Sequence, residues 1–195
     1  MDRPRHTDAR AAVFVDRDGT INVNATRGDF VKRPEDLRFL PGAARALRRL
    51  KEAGYLLVVY TNQSGVGRGV MTSADVDSVN ARLAEVLAEA GAPLDGVYYC
   101  PHVDADDCEC RKPKPGLLLR AASELGIDLS RSWGLGDGAR DLEAARAAGC
   151  RVVLVHGDSY PGQREAGEAL SPEASVPDLA AAADVVLAAG DRTAS

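Results

Sequence analysis

The chain has 195 residues, a length that fits one domain with a full hydrophobic core. Its formal net charge of −5 leaves no excess of Lys and Arg for non-specific nucleic-acid binding, so no nucleic-acid partner is expected. No stretch approaches the roughly 18 apolar residues of a membrane span, and no apolar signal-peptide core follows MDRPRHTDAR. We therefore expect a cytoplasmic monomer without a membrane partner, a single domain over residues 1–195 whose residues 1–10 form a flexible tail.

Short apolar runs alternate with helical patterns along the chain, and glycine marks most of the changes. Buried strands are predicted at residues 11–15, 55–60, 97–100, 133–136, 151–155 and 184–188. The clearest helix patterns cover residues 41–53, 72–90, 115–126 and 139–148. The polar segment 157–176 is predicted to be a surface loop. This alternation predicts an α/β fold with a doubly wound parallel sheet and helices on both faces.

Polar residues follow the first four predicted strands, where a doubly wound sheet binds its ligands. Asp16 and Asp18 follow the first strand, and in extended chain their side chains leave on the same side while Arg17 points away. Two carboxylates so close repel, so a cation lies between them or one of them is protonated. Asp137 adds a third carboxylate from the fourth strand end, and such an all-oxygen set suits Mg²⁺.

Two further strand-end residues suit a phosphoryl group. Thr61 offers a hydroxyl donor after the second strand, and Lys112 offers a mobile positive charge after the third. Together with the carboxylates they predict phosphoryl transfer in which an aspartate is the attacking group.

The segment CPHVDADDCECRK, residues 100–112, contains three of the four cysteines of the chain. Three sulfurs and one imidazole nitrogen form a complete tetrahedral zinc set with no position left for water. A redox pair or free thiols are the alternatives. A structural zinc would hold this loop and bring Arg111 and Lys112 to the pocket. The predicted zinc ligands are Cys100, His102, Cys108 and Cys110.

DRDGTIN, TNQSG, RKPKPG and GDGARD resemble, in this order, the four motifs of the haloacid dehalogenase phosphatase superfamily over about residues 12–156. The resemblance implies the Rossmann-like fold of that superfamily. It implies that Asp16 forms an aspartyl-phosphate and that Asp18 protonates the leaving oxygen and then activates water. The remaining implied roles are phosphoryl binding by Thr61 and Lys112, Mg²⁺ binding by Asp16, Asp18 and Asp137, and support by Asp141.

The zinc loop, with CPH followed by CxCRKP, resembles a subgroup that acts on heptose bisphosphate or on histidinol phosphate. The other motifs favour removal of the 7-phosphate of D-glycero-D-manno-heptose 1,7-bisphosphate, whereas the short interval between His102 and Cys108 keeps histidinol phosphate as the alternative. A non-catalytic phosphosugar-binding module is a remote third possibility. No large insertion separates the first three strands, so no large cap domain is expected. The predicted substrate-binding residues are Asn24, Thr26, Arg27, Asn62, Gln63, Ser64 and Arg111.

Overall fold

One parallel β-sheet organises the part of the chain that the computed structural model describes, residues 9–26 and 28–191. Its strands are β1 (Ala12–Val15), β2 (Leu56–Asn62), β3 (Gly96–Cys100), β4 (Trp133–Gly136), β5 (Arg151–Val155) and β6 (Ala174–Val176). They lie in the order β3-β2-β1-β4-β5-β6, and every neighbouring pair is parallel. The chain therefore winds outward in both directions from the central strands β1 and β4.

Six α-helices cover the two faces of this sheet in the described residues. They are α1 (Ala43–Glu52), α2 (Ser73–Glu89), α3 (Gly116–Leu125), α4 (Ala139–Ala147), α5 (Gln163–Glu168) and α6 (Leu179–Asp191). Helices α1, α2 and α6 pack on one face, and α3, α4 and α5 pack on the other. The predicted doubly wound α/β fold is confirmed, and no large cap domain interrupts the described chain.

The apolar strand residues alternate between the two packed layers. Val13 and Val15 of β1 pack toward α1, α2 and α6, whereas Ala12 and Phe14 pack toward α3 and α4. All four side chains are buried because helices cover both faces. Full burial of a side chain such as Val or Phe contributes about 1.5–3 kcal/mol. The unbroken apolar runs in the sequence are a direct consequence of this two-sided burial.

Helix ends carry residues that cap the free backbone groups. Thr72 Oγ1 accepts a hydrogen bond from the Asp75 backbone N–H at 3.1 Å, and Asp75 Oδ2 accepts one from the Thr72 backbone N–H at 2.7 Å. This reciprocal pair is a capping box that begins α2. Helix α3 ends at Gly126, whose φ of 65° lies in the left-handed region that glycine tolerates best.

Two predictions about the last third of the chain are wrong. Residues 184–188, predicted as a strand, belong to α6, because Ala182, Val186 and Ala189 recur at helical spacing and form its buried face. Residues 157–176, predicted as a surface loop, contain α5 and the edge strand β6. Strand β6 has three residues, too few for a period-two pattern, and it forms through its pairing with β5.

The amino-terminal segment differs in part from the predicted flexible tail. Residues 1–8 lie outside the described residues. The backbone N–H of Arg10 donates to the Gly126 carbonyl at 3.1 Å, and Arg10 forms a parallel bridge with Ile127. Contacts with the rest of the fold therefore begin at Arg10, before the start of β1. Among the described helices, none combines the length and the apolarity that crossing a bilayer would need.

Candidate active site

The carboxyl ends of the central strands open into a cavity of about 490 Å³. Parallel strands place the residues that follow them at one edge of the sheet, and this is where the sequence motifs converge. The charged and amide side chains that line the cavity are Asp16, Asp18, Asn24, Asn62, Lys112, Asp137, Arg140, Asp141 and Gln163, together with the hydroxyl of Thr61.

Lys112 is buried at the centre of the cavity wall. Its Nζ lies 2.7 Å from Asp16 Oδ1, 2.5 Å from Asp141 Oδ1 and 3.1 Å from the Tyr60 carbonyl oxygen. Burial opposes the charged form of Lys112, but Asp141 and Asp16 outweigh it and raise the pKa of Lys112 above its ordinary value. The ammonium group is therefore positively charged and holds two carboxylates beside it.

The three carboxylates of Asp16, Asp137 and Asp141 form the negative side of the cavity, with one oxygen of each within 4.8 Å of the others. Burial raises the pKa of Asp16 to about 7, against the lowering effect of Lys112. Burial also raises the pKa of Asp137 to about 8, and the charges of Asp141 and Asp16 add to this effect. The single positive charge of Lys112 does not balance the charges of three carboxylates. A bound divalent cation would reduce the repulsion that remains between them.

A buried oxygen of Asp137 supports this interpretation. Within the described part of the chain, Asp137 Oδ2 has no hydrogen-bond partner, which is costly for a buried carboxylate oxygen. Gly19 lies directly beside it with φ of 84°, and a Cβ atom at that position would overlap the Asp137 carboxylate and the Asn24 amide. Glycine at position 19 thus leaves the space beside this oxygen free of a side chain, and hard cations such as Mg²⁺ prefer carboxylate oxygens.

The Asp18 carboxylate lies outside the carboxylate cluster and has its own set of donors. Arg17 binds it through Nε to Oδ1 at 3.2 Å and through Nη2 to Oδ2 at 2.9 Å. Asn22 Nδ2 and Gln63 Nε2 each donate to it at 2.8 Å. Burial alone would raise the pKa of Asp18, but Arg17 and these hydrogen bonds lower it below its ordinary value.

One expectation for this turn is wrong, and another stays a prediction. Arg17 does not point away from the carboxylates, because the chain leaves the extended conformation directly after β1 and turns back at Asn22. The Asp18 carboxylate lies outside the cluster that Asp16, Asp137 and Asp141 form, and Mg²⁺ binding by Asp18 stays a prediction.

The end of β2 holds the phosphoryl-binding candidates in place. Gln63 Nε2, which donates to Asp18, also lies 3.0 Å from Thr61 Oγ1. Asn62 forms a pair of 3.1 Å hydrogen bonds with the backbone of Lys112, one to its N–H and one to its carbonyl. The TNQ sequence thus fixes Asp18, Thr61 and the Lys112 loop relative to one another.

The cysteine loop forms a compact cluster of potential metal ligands. Cys100 Sγ lies 3.5 Å from His102 Nδ1 and 3.6 Å from Cys108 Sγ, and Cys110 Sγ lies 3.4 Å and 3.5 Å from the same two atoms. Disulfide bonds would need about 2.05 Å, so the cysteines are free thiols. Tetrahedral Zn–S bonds of about 2.3 Å imply ligand separations of roughly 3.8 Å, close to those observed. These four side chains could hold one metal ion.

Arg111, predicted to bind substrate, is held at the rim by the same loop. Its Nε lies 2.9 Å from Asp104 Oδ1, and its Nη1 donates to the His102 carbonyl at 3.1 Å. Arg140 Nη1 lies 3.1 Å from the same Asp104 oxygen. Arg140 lines the cavity and Arg111 does not, so the two guanidinium groups meet at one exposed carboxylate beside the entrance.

Only some of the remaining predicted substrate-binding residues line the cavity. Asn24 and Asn62 line the cavity, whereas Gln63 and Ser64 are buried behind it. Thr26 is exposed and outside the lining, and Arg27 lies outside the described residues.

Several lining residues were not predicted. Arg140 stands inside the GDGARD motif, so its position was available from the sequence, but Gln163 comes from the segment predicted as a loop. A second cavity of about 250 Å³ shares Asp18, Asn24 and Asn62 with the first, and Arg68 and Tyr160 line it. The accessible space therefore extends beyond the carboxylate cluster toward Arg68.

Comparison with known proteins gives a consistent result. Residues 5–149 match the sequence model of the haloacid dehalogenase-like hydrolases. The chain is similar to D-glycero-beta-D-manno-heptose-1,7-bisphosphate 7-phosphatase of Pseudomonas aeruginosa, with 41% identity over 181 residues, covering 92% of this chain and 99% of that protein. The protein of the same name from Yersinia pestis is 40% identical over 169 residues, covering 82% of this chain and 88% of that protein.

Solved structures show the same similarity. D,D-heptose 1,7-bisphosphate phosphatase of Bordetella bronchiseptica, crystallised with magnesium and phosphate, superposes with a TM-score of 0.79 and 36% identity over 91% of this chain and 98% of that one. The corresponding enzyme of Burkholderia thailandensis gives a TM-score of 0.66 with 31% identity over 91% of this chain and 99% of that one.

Proposed function

The chain belongs to the haloacid dehalogenase-like hydrolase family and is a phosphatase, and from this premise we propose that Asp16 is the nucleophile of a two-step phosphomonoester hydrolysis. One observation carries this proposal. Lys112 holds Asp16 at 2.7 Å on the wall of a cavity that Asp18, Thr61 and Asp137 also line. A nucleophile, a proton donor and groups that bind a phosphoryl oxygen thus share one space.

In the first proposed step, an Asp16 carboxylate oxygen attacks phosphorus and the bond from phosphorus to the leaving oxygen breaks. In the substrate complex Asp18 carries a proton, although the donors around it lower its pKa in the free protein. It gives this proton to that oxygen, so the alcohol leaves neutral and Asp16 carries an aspartyl-phosphate. In the second step, Asp18 takes a proton from water as the water oxygen attacks phosphorus. Inorganic phosphate leaves, and both carboxyl groups return to their starting states.

We propose that Mg²⁺ binds at Asp16 and Asp137, while the Asp141 carboxylate forms an ion pair with Lys112. The unpartnered oxygen of Asp137 and the crowding of three carboxylates support this assignment. When bound, Mg²⁺ would offset the negative charge of the phosphoryl oxygens. Thr61 and Lys112 would bind the same oxygens from the opposite side, which orients the phosphorus toward Asp16.

We propose that the ion held by Cys100, His102, Cys108 and Cys110 is Zn²⁺ in a structural site. The complete set of four ligands leaves no position for a reacting water, and this favours a structural role over a catalytic one. Clustered thiols persist in a reducing compartment, and on this ground we also propose a cytoplasmic location. We further expect a monomer, which sedimentation velocity would test.

The proposed substrate is D-glycero-D-manno-heptose 1,7-bisphosphate, hydrolysed at its 7-phosphate. The names of the relatives support this choice, and so does the second cavity beside the catalytic one, which offers space for the leaving sugar. Arg68 lines this second cavity, Arg140 lines the first, and Arg111 meets Arg140 at Asp104. All three are candidates for binding the non-reacting phosphate. Asn24 and Asn62, which line both cavities, are candidates for binding the sugar hydroxyls.

The direct test is steady-state kcat/KM for heptose 1,7-bisphosphate and histidinol phosphate with the same preparation. We expect a clear preference for the bisphosphate. Arg111→Ala and Arg140→Ala should each reduce kcat/KM more for the bisphosphate than for a small monophosphate, because the monophosphate has no second anion to lose. A preference for histidinol phosphate, or equal losses on both substrates, would favour the alternative substrate.

A further inference from the structure

Arg17 is a fully buried arginine inside the catalytic motif, and its guanidinium group connects two distant parts of the chain. Two of its nitrogens bind the Asp18 carboxylate, while Nη1 donates to Asn80 Oδ1 at 2.9 Å. Asn80 belongs to α2, 63 residues further along the chain. Burial of a charged guanidinium is costly unless its donors are matched, so these contacts determine where Arg17 can lie.

Asn80 occupies an unusual place for an asparagine. It is 7% exposed and lies on the buried face of α2 with Val76, Val79 and Leu83. Asparagine is a weak helix former and is usually exposed, and an aliphatic residue would suit both the helix and this face better. The Arg17 contact accounts for the amide oxygen at this position, because a leucine there would leave Nη1 without its acceptor.

The geometry points to a positioning role for Asn80, and this inference rests on the proposed role of Asp18 as proton donor. We propose that Asn80 fixes the plane of the Arg17 guanidinium and that Arg17 in turn fixes the orientation of the Asp18 carboxylate at the cavity wall. The contact between Arg17 and Asp18 is directional, because the guanidinium group presents parallel N–H groups to the two carboxylate oxygens. Without Asn80, the guanidinium can turn toward another acceptor, and only Asn22 and Gln63 then remain to orient the Asp18 carboxylate.

The test uses the dependence of activity on the leaving group. Transfer to Asp16 with departure of an alkoxide needs the Asp18 proton, whereas 2,4-dinitrophenolate leaves without it. Asn80→Leu should therefore lower kcat/KM for an alkyl phosphate by about 10-fold, below the roughly 10²- to 10⁴-fold expected when acid–base catalysis is lost outright. For 2,4-dinitrophenyl phosphate, kcat/KM should change by less than about 2-fold, since proton donation contributes little there.

Two further variants separate positioning from stability. Asn80→Asp keeps an oxygen acceptor in the same place and should restore most of the alkyl phosphate activity. Val79→Ala shortens a buried side chain on the same helix and leaves the hydrogen bonds of Arg17 to Asn80 and Asp18 in place. Its ratio of activities on the two substrates should equal that of the unaltered protein. Reduced folding alone would lower both activities together and leave the ratio unchanged in every variant.

Asp18→Asn provides the reference that distinguishes this inference from the proposed function. If Asp18→Asn is selective for the leaving group and Asn80→Leu is not, the positioning role of Asn80 is refuted and the role of Asp18 stands. If Asp18→Asn itself shows no selectivity, the proposed role of Asp18 fails and the inference fails with it. A selective loss in both variants, with recovery in Asn80→Asp, supports the inference.

Discussion

At the scale of single residues, Asp16 and Asp18 are chemically identical, and their neighbours give them different proposed roles. Asp16 lies against Lys112 and the other buried carboxylates, whereas Asp18 is held by Arg17, Asn22 and Gln63. We predict that Asp16→Asn abolishes turnover, because the amide has no anionic oxygen to attack phosphorus. The measurement is kcat on any phosphomonoester with Mg²⁺ present, together with circular dichroism to confirm folding. Turnover at the rate of the unaltered protein would contradict the assignment.

At the scale of an element, the cysteine loop joins β3 to α3 and carries Lys112 two residues after Cys110. Gly116 begins α3 so close to the loop that a Cβ there would overlap the Glu109 carbonyl, so the loop packs directly against the start of the helix. We predict that Cys108→Ser lowers both the zinc content and kcat/KM, because Lys112 loses its fixed position. Elemental analysis and phosphate release measure the two quantities.

Cys150→Ser is the matched control for the loop, since this buried cysteine lies outside the cluster. It should retain about one zinc per chain, as a complete four-ligand site implies. Full activity in a zinc-free Cys108→Ser preparation would show that the loop positions Lys112 without the metal.

At the scale of the whole molecule, the carboxylate cluster couples stability to pH and to Mg²⁺. The folded state raises the pKa of Asp16 to about 7 and of Asp137 to about 8 from the ordinary value of 3.8, so it binds protons that the unfolded chain has released. Stability of the Mg²⁺-free protein should therefore fall as pH rises from about 5 to 8. Thermal unfolding in Mg²⁺-free buffer without chelator, which spares the zinc loop, measures this effect.

Added Mg²⁺ should raise the unfolding temperature more at pH 8 than at pH 5, because it competes with protons for the same oxygens. Asp137→Asn should reduce both the pH dependence and the response to Mg²⁺. An unfolding temperature that rises steadily from pH 5 to pH 8 without Mg²⁺ would contradict this account of the cluster.

The sheet, most of its strands and the convergence of the motifs could be predicted from the amino-acid sequence. Two-sided burial makes strands such as Ala12–Val15 and Arg151–Val155 continuous apolar runs, and parallel strands bring their carboxyl ends to one edge. The proximity of Asp16, Lys112 and Asp137 follows from those two facts. The cysteine cluster was equally predictable, because its four ligands lie within eleven consecutive residues.

The partners of the buried polar groups, in contrast, could not be predicted without the three-dimensional fold. Nothing in the local spacing shows that Arg17 turns back to Asp18, or that Arg17 receives its third contact from Asn80 of α2. The helical state of residues 184–188 depends on which face packs against the sheet, and β6 exists through its pairing with β5. The physical reason is that local propensity and periodicity act over only a few residues. The energetic cost of desolvating a buried charge is instead offset by the polar group that the fold brings beside it, which can lie anywhere in the sequence.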